Sequence, residues 1–450
     1  MKNKVFILAA LALICALLVS CRNQKPDDTY DSTSKSPDSS AFTDTQEQKA
    51  HPKSNAELFD LLIESWKNGT AGELYEYASE EMKSLLTQNS FEEMFDRVSA
   101  IGGNIVNVQK TGTSEESGID TYRASVEFEH ITANIQLSLQ DVNICGFFRD
   151  IFFTDTFEIT YENSITERYF VLENDGYSLN AVYTYSDKSN KSPSVLLISG
   201  SGPCDYDETV GLLTPFADIA KSLAEQGISS LRIDKRTLHY ADSFKPTDGI
   251  EEEYLKDCRA ALTWLKNQEN TESVYLLGHS LGGQIAAVLA AEYKDIKGTV
   301  IFNSTPRHLA DIMYEQLSIN DPANISAYSQ YTAAAKKATF QESKGAYYYG
   351  ANDYYWASYN SLDIIGSIKE SGSPVLIINS TYDNQLFDED IEQWDYLFGN
   401  DSLVTIKCYD DMSHFGYKID TKVQSLLYSE VEFPPELIAD FATFINQPIM

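Results

Sequence analysis

The chain of 450 residues carries 67 acidic against 34 basic side chains, a formal net charge of −33 at pH 7. Its length favours two or more domains, and a content of 43% hydrophobic and 12% aromatic residues is ample for their cores. The acidic balance argues against a nucleic-acid partner, because binding phosphates needs clustered Lys and Arg.

The amino terminus has the composition of a secretion signal. Lys2 and Lys4 precede the apolar run "VFILAALALICALLV", which is too short for a comfortable transmembrane span. The run closes on "LVSC", Leu18 to Cys21, which resembles the lipobox of bacterial lipoproteins, where the chain is cut before the Cys and the Cys carries the lipids. An ordinary secretory signal with a chance Cys is the alternative. We predict a signal peptide over residues 1–20, lipidation of Cys21, and lipid anchoring to the extracytoplasmic face of the cell membrane.

Two segments of different composition follow. Residues 21–55 are rich in Ser, Thr and Asp with almost nothing to bury, which is typical of a flexible tether. Residues 56–150 contain two helical patterns that close on Gly and then three strand-like stretches, which predict a small α+β domain. This region resembles a domain of unknown function that often precedes secreted bacterial hydrolases. His130 is its only histidine within these bounds, and nothing clusters with it as a site.

Residues 157–450 alternate short apolar runs with helical segments. Runs such as "SVLLISGSG", "SVYLLGHS" and "PVLIINS" are typical of strands covered on both faces, so we expect a mostly parallel, doubly wound sheet. "ERYFVLE" and "SLNAVYTY" flank "NDGY" and predict an antiparallel hairpin at the start of that sheet. Residues 306–371 interrupt the alternation with helical, Tyr-rich sequence, which we interpret as a cap inserted over the sheet.

Four cysteines lie beyond the amino-terminal region, at positions 145, 204, 258 and 408. They show neither a CxxC pair nor metal-ligand spacing, so we expect no metal site and interpret them as small core residues. A chance disulfide remains open.

The stretch "VYLLGHSLGG" places Ser280 between an apolar strand and an Ala-rich helix. Gly-x-Ser-x-Gly in this context is the nucleophile elbow, a turn so sharp that Gly278 and Gly282 are needed beside the serine. The start of the following helix favours a developing negative charge. The alternative is a glycine-rich turn with a passive serine.

A serine nucleophile needs a base, and that base needs an orienting acid, in the chain order Ser, Asp or Glu, His. Of the six histidines only His414 follows the later strands, in the loop after "LVTIKCY". A surface-loop histidine is the alternative interpretation. The other five are His51, His130, His239, His279 and His308.

Asp383 is the leading candidate for the acid. It follows the strand "PVLIINS", at the carboxyl end of the sheet where catalytic residues of open α/β sheets gather. Its competitors are Asp388, Asp390, Asp410 and Asp411.

A tetrahedral oxyanion needs two backbone N–H donors. One is expected from Leu281, directly after the serine. The other is expected from Ser201 in the loop "SGSGPCDYDET", whose glycines let the backbone approach a substrate.

The stretch from about Val195 onward resembles the α/β-hydrolase superfamily, especially a branch of bacterial carboxylesterases related to the serine-aminopeptidase-like hydrolases. The matching pieces occur in the family's order: "SGSGPCDYDET", "RIDKR", "GHSLGG", "NSTPRHLADIMYEQ", "NDYYWASYN", "STYDNQ" before "IEQW", and "DMSHFGY". The resemblance implies an α/β-hydrolase fold with Ser280 as nucleophile, Asp383 as acid and His414 as base.

Two departures from the wider superfamily concern the loops beside the site. In the wider superfamily His-Gly commonly opens the oxyanion loop. Ser199-Gly200 stands at this position here, and the branch that the chain resembles also has Ser-Gly there. After "RIDKR" the usual small, Gly-rich continuation is replaced by "TLHYADS", which leaves the substrate preference open. We expect Asp234, Lys235 and Arg236 to form a structural ion-pair cluster, with substrate binding as the alternative.

The predicted function is that of a lipid-anchored serine esterase that cleaves small acyl esters through an acyl-enzyme, without a metal or organic cofactor. A peptidase or amidase with the same three residues is one alternative, and a non-catalytic surface binding protein on a hydrolase scaffold is another. Tyr355 and Trp356, in the aromatic-rich cap, are predicted to help form the substrate pocket.

Overall fold

The computed structural model describes residues 51–186, 191–421, 431 and 433–447. The predicted signal peptide, Cys21 and most of the predicted tether lie outside these residues. Within the described ranges, no helix combines the length and apolar character that crossing a membrane requires.

The amino-terminal unit consists of helices followed by an antiparallel meander. The helices are α1 (Asn55–Lys67), a 3-10 turn (Ala71–Tyr77), α2 (Glu80–Leu85) and α3 (Gln88–Gly102). The strands, in spatial order, are β1 (Ile105–Glu116), β2 (Ile119–Phe128), β3 (Ile131–Gln140) and β4 (Asn143–Phe153). The sequence pattern predicted three of these four strands. It missed β4 because its "ICGFFRD" does not alternate between buried and exposed positions.

A nine-stranded sheet forms the centre of the second unit. Its strands are β5 (Phe157–Thr160), β6 (Ile165–Asn174), β7 (Tyr177–Ser186), β8 (Ser192–Ile198), β9 (Ser229–Ile233), β10 (Thr271–His279), β11 (Thr299–Phe302), β14 (Val375–Ser380) and β15 (Val404–Tyr409). They lie in the order β15-β14-β11-β10-β8-β9-β7-β6-β5. The six strands from β15 to β9 are parallel to one another, and β7, β6 and β5 continue the sheet through antiparallel pairings.

The predicted opening hairpin is confirmed. Strands β6 and β7 pair from Asn174↔Tyr177 to Ile165↔Ser186. Asp175 and Gly176 between them have φ of 52° and 80°, the left-handed pair that a tight hairpin turn requires and that Asp-Gly favours.

Helices cover both faces of the sheet. They are α4 (Pro215–Glu225), α5 (Arg236–Tyr240), a π-helical turn (Glu251–Leu255) that continues into α6 (Lys256–Lys266), and α7 (Leu281–Glu292), with α12 (Asp388–Phe398) and α13 (Pro435–Asn446) later in the chain. Leu196 and Leu276 pack with α6 and α7, whereas the adjacent Leu197 and Leu277 pack with α4 and α13. Alternate residues of one strand point to opposite faces, so continuous apolar runs are what two helical layers demand.

The cap contains α8 (Leu309–Asn320), α9 (Ile325–Ala335), the short hairpin β12 (Tyr347–Tyr348) and β13 (Ala351–Asn352), and α10 (Asp353–Asn360). The last predicted cap segment, α11 (Ile364–Ser371), packs against α7, and its Ile368 joins the core formed with Ile301 and Ile377 of the sheet. It therefore belongs to the helical layer of the sheet, and the insertion over the sheet ends before it.

The amino-terminal unit packs against the antiparallel end of the sheet and against the loop after β8. Asn180 of β7 donates to the carbonyl of Ile151 at 2.7 Å and accepts from the N–H of Phe153 at 2.8 Å. The ring of Tyr206, in the loop after β8, lies 5.4 Å from that of Phe153. The two units thus share a continuous apolar interior.

Candidate active site

Ser280 occupies the turn between β10 and α7 in a strained conformation. Its φ of 53° and ψ of −125° lie outside the regions that L-residues ordinarily adopt. The turn is held by a hydrogen bond from Ser280 N–H to Phe302 O at 2.9 Å. A Cβ on Gly278 would lie 2.1 Å from Gly282 O, and one on Gly282 would lie 2.1 Å from Ile198 O. Both glycines are therefore required by backbone approach, as the motif predicted.

Asp383 and His414 come together from two different loops. His414 Nδ1 lies 2.6 Å from Asp383 Oδ2, and both side chains are buried. The other carboxylate oxygen, Oδ1, accepts the N–H groups of Gln385 at 2.7 Å and Leu386 at 3.0 Å. These contacts orient Oδ2 toward the imidazole.

The competing carboxylates are engaged elsewhere. Asp390 is buried and accepts from Thr305 Oγ1 and from Phe387 N–H. Asp388 and Asp410 are exposed, and Asp411 lies 3.4 Å from Lys418 Nζ. Of the five candidates in the described chain, only Asp383 has a hydrogen bond to His414.

His414 is also fixed through its backbone. Its carbonyl accepts from His279 Nε2 at 2.8 Å and from Asn303 Nδ2 at 2.7 Å. His279 directly precedes Ser280, and its ring centroid lies 4.7 Å from that of His414. This contact joins the turn that carries the serine to the loop that carries the imidazole.

A buried carboxylate continues this connection to the loop after β8. Glu208 Oε1 lies 2.9 Å from His279 Nδ1 and accepts the N–H of Gly200 at 2.6 Å. Burial by itself lowers the pKa of His279, but the Glu208 carboxylate and the His414 carbonyl outweigh it, so the pKa is raised. Sequence reasoning missed both roles. The available signal was the acidic stretch "CDYDET", in which Glu208 is the third acidic residue. In the structure Glu208 adopts a left-handed φ of 53°.

The two predicted oxyanion donors come from different segments, Leu281 from the start of the helix after Ser280 and Ser201 from the loop after β8. Leu281 is the first residue of α7, and the first N–H groups of a helix have no acceptor within that helix. Ser201 is exposed, and its N–H takes part in none of the hydrogen bonds found among the described residues. The N–H of Gly200 is committed to Glu208. The geometry leaves the Ser201 donor role as a prediction.

Trp356 and Tyr355, the cap residues predicted to help form the substrate pocket, have different surroundings in the structure. Trp356 is 1% exposed, its Nε1 donates to Tyr348 O at 2.9 Å, and it packs edge-on against Tyr349. This burial contradicts the pocket interpretation for Trp356, because a side chain enclosed by its own cap offers no face to a substrate. Tyr355 is half-buried, and its hydroxyl donates to Glu253 Oε2 at 2.7 Å.

Asp234, Lys235 and Arg236, which follow β9, are all ion-paired, but each has its own partner outside the predicted cluster. Asp234 Oδ2 lies 2.7 Å from His239 Nε2, Lys235 Nζ lies 2.6 Å from Glu253 Oε1, and Arg236 binds Asp257 through two nitrogens. The four described cysteines are free thiols, and the described residues contain no cluster of His, Cys, Asp and Glu suited to a metal ion.

The parallel sheet with its antiparallel end, the inserted cap and the serine at the strand-to-helix turn define the α/β-hydrolase fold. Residues 213–317 match the family described as "Serine aminopeptidase, S33", which confirms the resemblance inferred from the motifs. The chain is 31% identical over 231 residues, 50% of its length, to Esterase EstD of Thermotoga maritima. That alignment covers 55% of EstD, so the chain spans about half the length of this curated relative.

Solved esterase structures are also similar to this chain. Est1E from Butyrivibrio proteoclasticus is 16% identical with a TM-score of 0.42, covering 61% of this chain and 96% of Est1E. An esterase from Pyrococcus furiosus is 14% identical with a TM-score of 0.42, covering 66% of this chain and 99% of that enzyme.

Proposed function

We propose that the protein is a serine hydrolase that cleaves small carboxylic esters through Ser280, His414 and Asp383. The observation that carries this proposal is the 2.6 Å contact between Asp383 Oδ2 and His414 Nδ1. It pairs a buried acid with an imidazole whose loop is tied to the elbow residue His279. These are the groups that activate a serine hydroxyl, and Ser280 stands where such a hydroxyl is expected.

The reaction proceeds in two halves. Ser280 Oγ attacks the ester carbonyl carbon while His414 Nε2 takes the hydroxyl proton, and the carbonyl oxygen becomes an oxyanion that accepts from the N–H groups of Leu281 and Ser201. The C–O bond to the alcohol breaks, and His414 returns the proton to the departing alkoxide. Water then attacks the acyl-enzyme, giving up a proton to His414, which returns it to Ser280 as the carboxylic acid leaves.

Asp383 fixes the tautomer of the base. Because Gln385 and Leu386 N–H occupy Oδ1, the Oδ2 atom is left to accept Nδ1–H of His414. The Nε2 lone pair is then available for the serine proton, and the carboxylate stabilises the imidazolium that forms.

Ester hydrolysis is favoured over amide hydrolysis by the curated relative, which is named an esterase. The family match, described as a serine aminopeptidase, keeps a peptidase or amidase with the same three residues as the second candidate. A non-catalytic binding protein is the third, and an intact set of three residues argues against it.

A fluorophosphonate probe tests the proposal. It should label the wild-type protein and fail to label Ser280→Ala, in which only one oxygen is lost from a partly exposed position. Ester hydrolysis should fall by about a millionfold in that variant. A panel of acyl esters against aminoacyl amides separates the two enzyme classes, and unlabelled wild-type protein would favour a binding role.

We further propose that the protein is held at the extracytoplasmic membrane face by lipid on Cys21, with no other membrane contact and no nucleic-acid partner. The support is the "LVSC" motif after a short apolar run. Cys21→Ser should release the protein from the membrane fraction. Persistent association that resists high-salt washing would instead indicate an uncleaved hydrophobic segment.

A further inference from the structure

Three donors converge on the carbonyl oxygen of Gly200, which precedes the predicted oxyanion donor. The Tyr254 hydroxyl donates to it at 2.5 Å and Lys235 Nζ at 3.2 Å. The Cys204 thiol adds a weak contact at 3.9 Å. Lys235 and Tyr254 are both buried, so little water competes for this oxygen.

Holding this carbonyl also determines where the next N–H points. The Gly200 C=O and the Ser201 N–H belong to one peptide unit, which is planar, and the described residues contain no cis peptide. In a trans peptide the two bonds point in opposite directions, so the Ser201 N–H is directed away from Lys235 and Tyr254. A Cβ on Gly200 would lie 3.1 Å from the Cβ of Ser280, so this peptide lies against the serine.

We propose that Lys235 and Tyr254 are positioning residues that aim the Ser201 N–H at the oxyanion formed on Ser280. The inference rests on the proposed function, because it assumes that Ser280 forms a tetrahedral intermediate. The preceding peptide, Ser199–Gly200, is fixed as well, since Gly200 N–H is bound by Glu208 at 2.6 Å. The Gly200–Ser201 peptide is therefore held by its own carbonyl and by the fixed peptide before it, and these contacts oppose a rotation that would present its carbonyl to the substrate.

The positive charge of Lys235 has a second effect on the Gly200–Ser201 peptide. A buried ammonium is costly unless it is paired and fully hydrogen-bonded. Lys235 Nζ meets these needs with Glu253 Oε1 at 2.6 Å, the Gly200 carbonyl, and the ring of Tyr254, whose centroid lies 3.8 Å away. A cation at the carbonyl oxygen polarises the peptide and strengthens its N–H as a donor.

The cap supports this cluster through a π-helical turn. Glu253 and Tyr254 both lie in the turn Glu251–Leu255, a rare conformation that is frequent at functional sites. Two residues of α10 hold it: Tyr355 donates to Glu253 Oε2 at 2.7 Å, and Ser358 Oγ accepts from Ile250 N–H at 3.0 Å. Tyr355 therefore acts on the oxyanion peptide through Glu253 and Lys235.

Tyr254→Phe tests the proposal with the loss of a single oxygen. Turnover of an acyl ester should fall about tenfold with KM changed less than about twofold, because the aimed N–H binds the transition state and not the substrate. A trifluoromethyl ketone, which adds to Ser280 as a tetrahedral oxyanion, should bind weaker by the same factor. Tyr355→Phe should change both quantities in the same direction by a smaller factor.

Tyr183→Phe is the matched control. This buried tyrosine donates to Asn270 Oδ1 at 3.0 Å in another part of the interior, so its loss should leave turnover and ketone binding unchanged. Unchanged turnover and ketone binding in Tyr254→Phe would overturn the proposal. An equal loss of turnover in Tyr254→Phe and Tyr183→Phe would also overturn it, and so would a change in Tyr254→Phe that affects KM alone. Fluorophosphonate labelling of the wild type is measured first, since its absence refutes the esterase assignment itself.

Discussion

His279 and Glu208 form a buried pair, 2.9 Å apart, between the loop after β8 and the loop of His414. His279 Nε2 faces a backbone carbonyl and must donate to it, so the Nδ1–Oε1 contact shares a single proton. The pair is therefore neutral in total, whichever atom holds that proton. It joins the peptide of Gly200 to the carbonyl of His414 through side chains alone.

Glu208→Gln should lower ester turnover about tenfold with little change in KM, because a neutral amide either leaves a net charge on His279 or loses one of the two contacts that Oε1 makes, to His279 Nδ1 and Gly200 N–H. Steady-state kinetics measure the effect. Glu225→Gln, at an exposed glutamate that accepts from Asn163, is the control and should behave as wild type. Turnover within twofold of wild type in Glu208→Gln would show that the pair has only a structural role.

Asp383→Asn should lower turnover by about ten-thousandfold, because an amide at this position favours the wrong imidazole tautomer. Asp411→Asn should have almost no effect, since Asp411 faces Lys418 at the surface. Single-turnover kinetics with an activated ester compare the two variants. Similar damage from Asp411→Asn would transfer the acid role to the His414 loop.

Trp356→Ala should destabilise the cap by about 3–5 kcal/mol, the range found when a fully buried aromatic is truncated. The ratio of activities on short and long acyl esters should stay constant at temperatures where the variant is folded. Calorimetry and a chain-length series of esters give the two measurements. A changed ratio at full folding would restore the pocket role to Trp356.

His239 should make the stability of the protein pH-dependent. Its ring lies 2.7 Å from Asp234 in the second unit and 2.8 Å from Asp150 in the first. Burial opposes its charge, but the two carboxylates raise its pKa from 6.5 to about 9. A raised pKa stabilises the fold fully below pH 6.5, and the contribution is lost as the pH rises through about 9.

The measurement is the difference in thermal midpoint between the wild type and His239→Gln at several pH values. It should be largest near pH 6, where the contribution is at most about 3 kcal/mol, and should nearly vanish at pH 10. His51→Gln, at an exposed histidine, serves as the control. A difference that is constant across this range would mean that His239 contributes through packing and not through charge.

Local patterns in the sequence were sufficient for the fold class and for Ser280. Unbroken apolar runs between helices follow from a sheet covered on both faces, and Gly278 and Gly282 follow from backbone contacts within one turn. The choice of Asp383 and His414 needed only the order in which this fold brings its strands to one edge. The apolar runs and the two glycines each reflect contacts among residues that are close together in the chain, so they leave a recognisable pattern in the sequence.

Only the tertiary structure decided what surrounds those residues. Glu208 and His279 are 71 positions apart, and Tyr355 and Glu253 are 102 positions apart, so neither pairing leaves a periodic trace. Trp356 and Tyr355 are neighbours in one aromatic stretch, yet one is enclosed by the cap and the other reaches Glu253. The amino-acid composition showed that the cap is rich in aromatic residues. Which face of α10 turns inward depends on how the cap packs over the sheet, and that is a property of the folded chain alone.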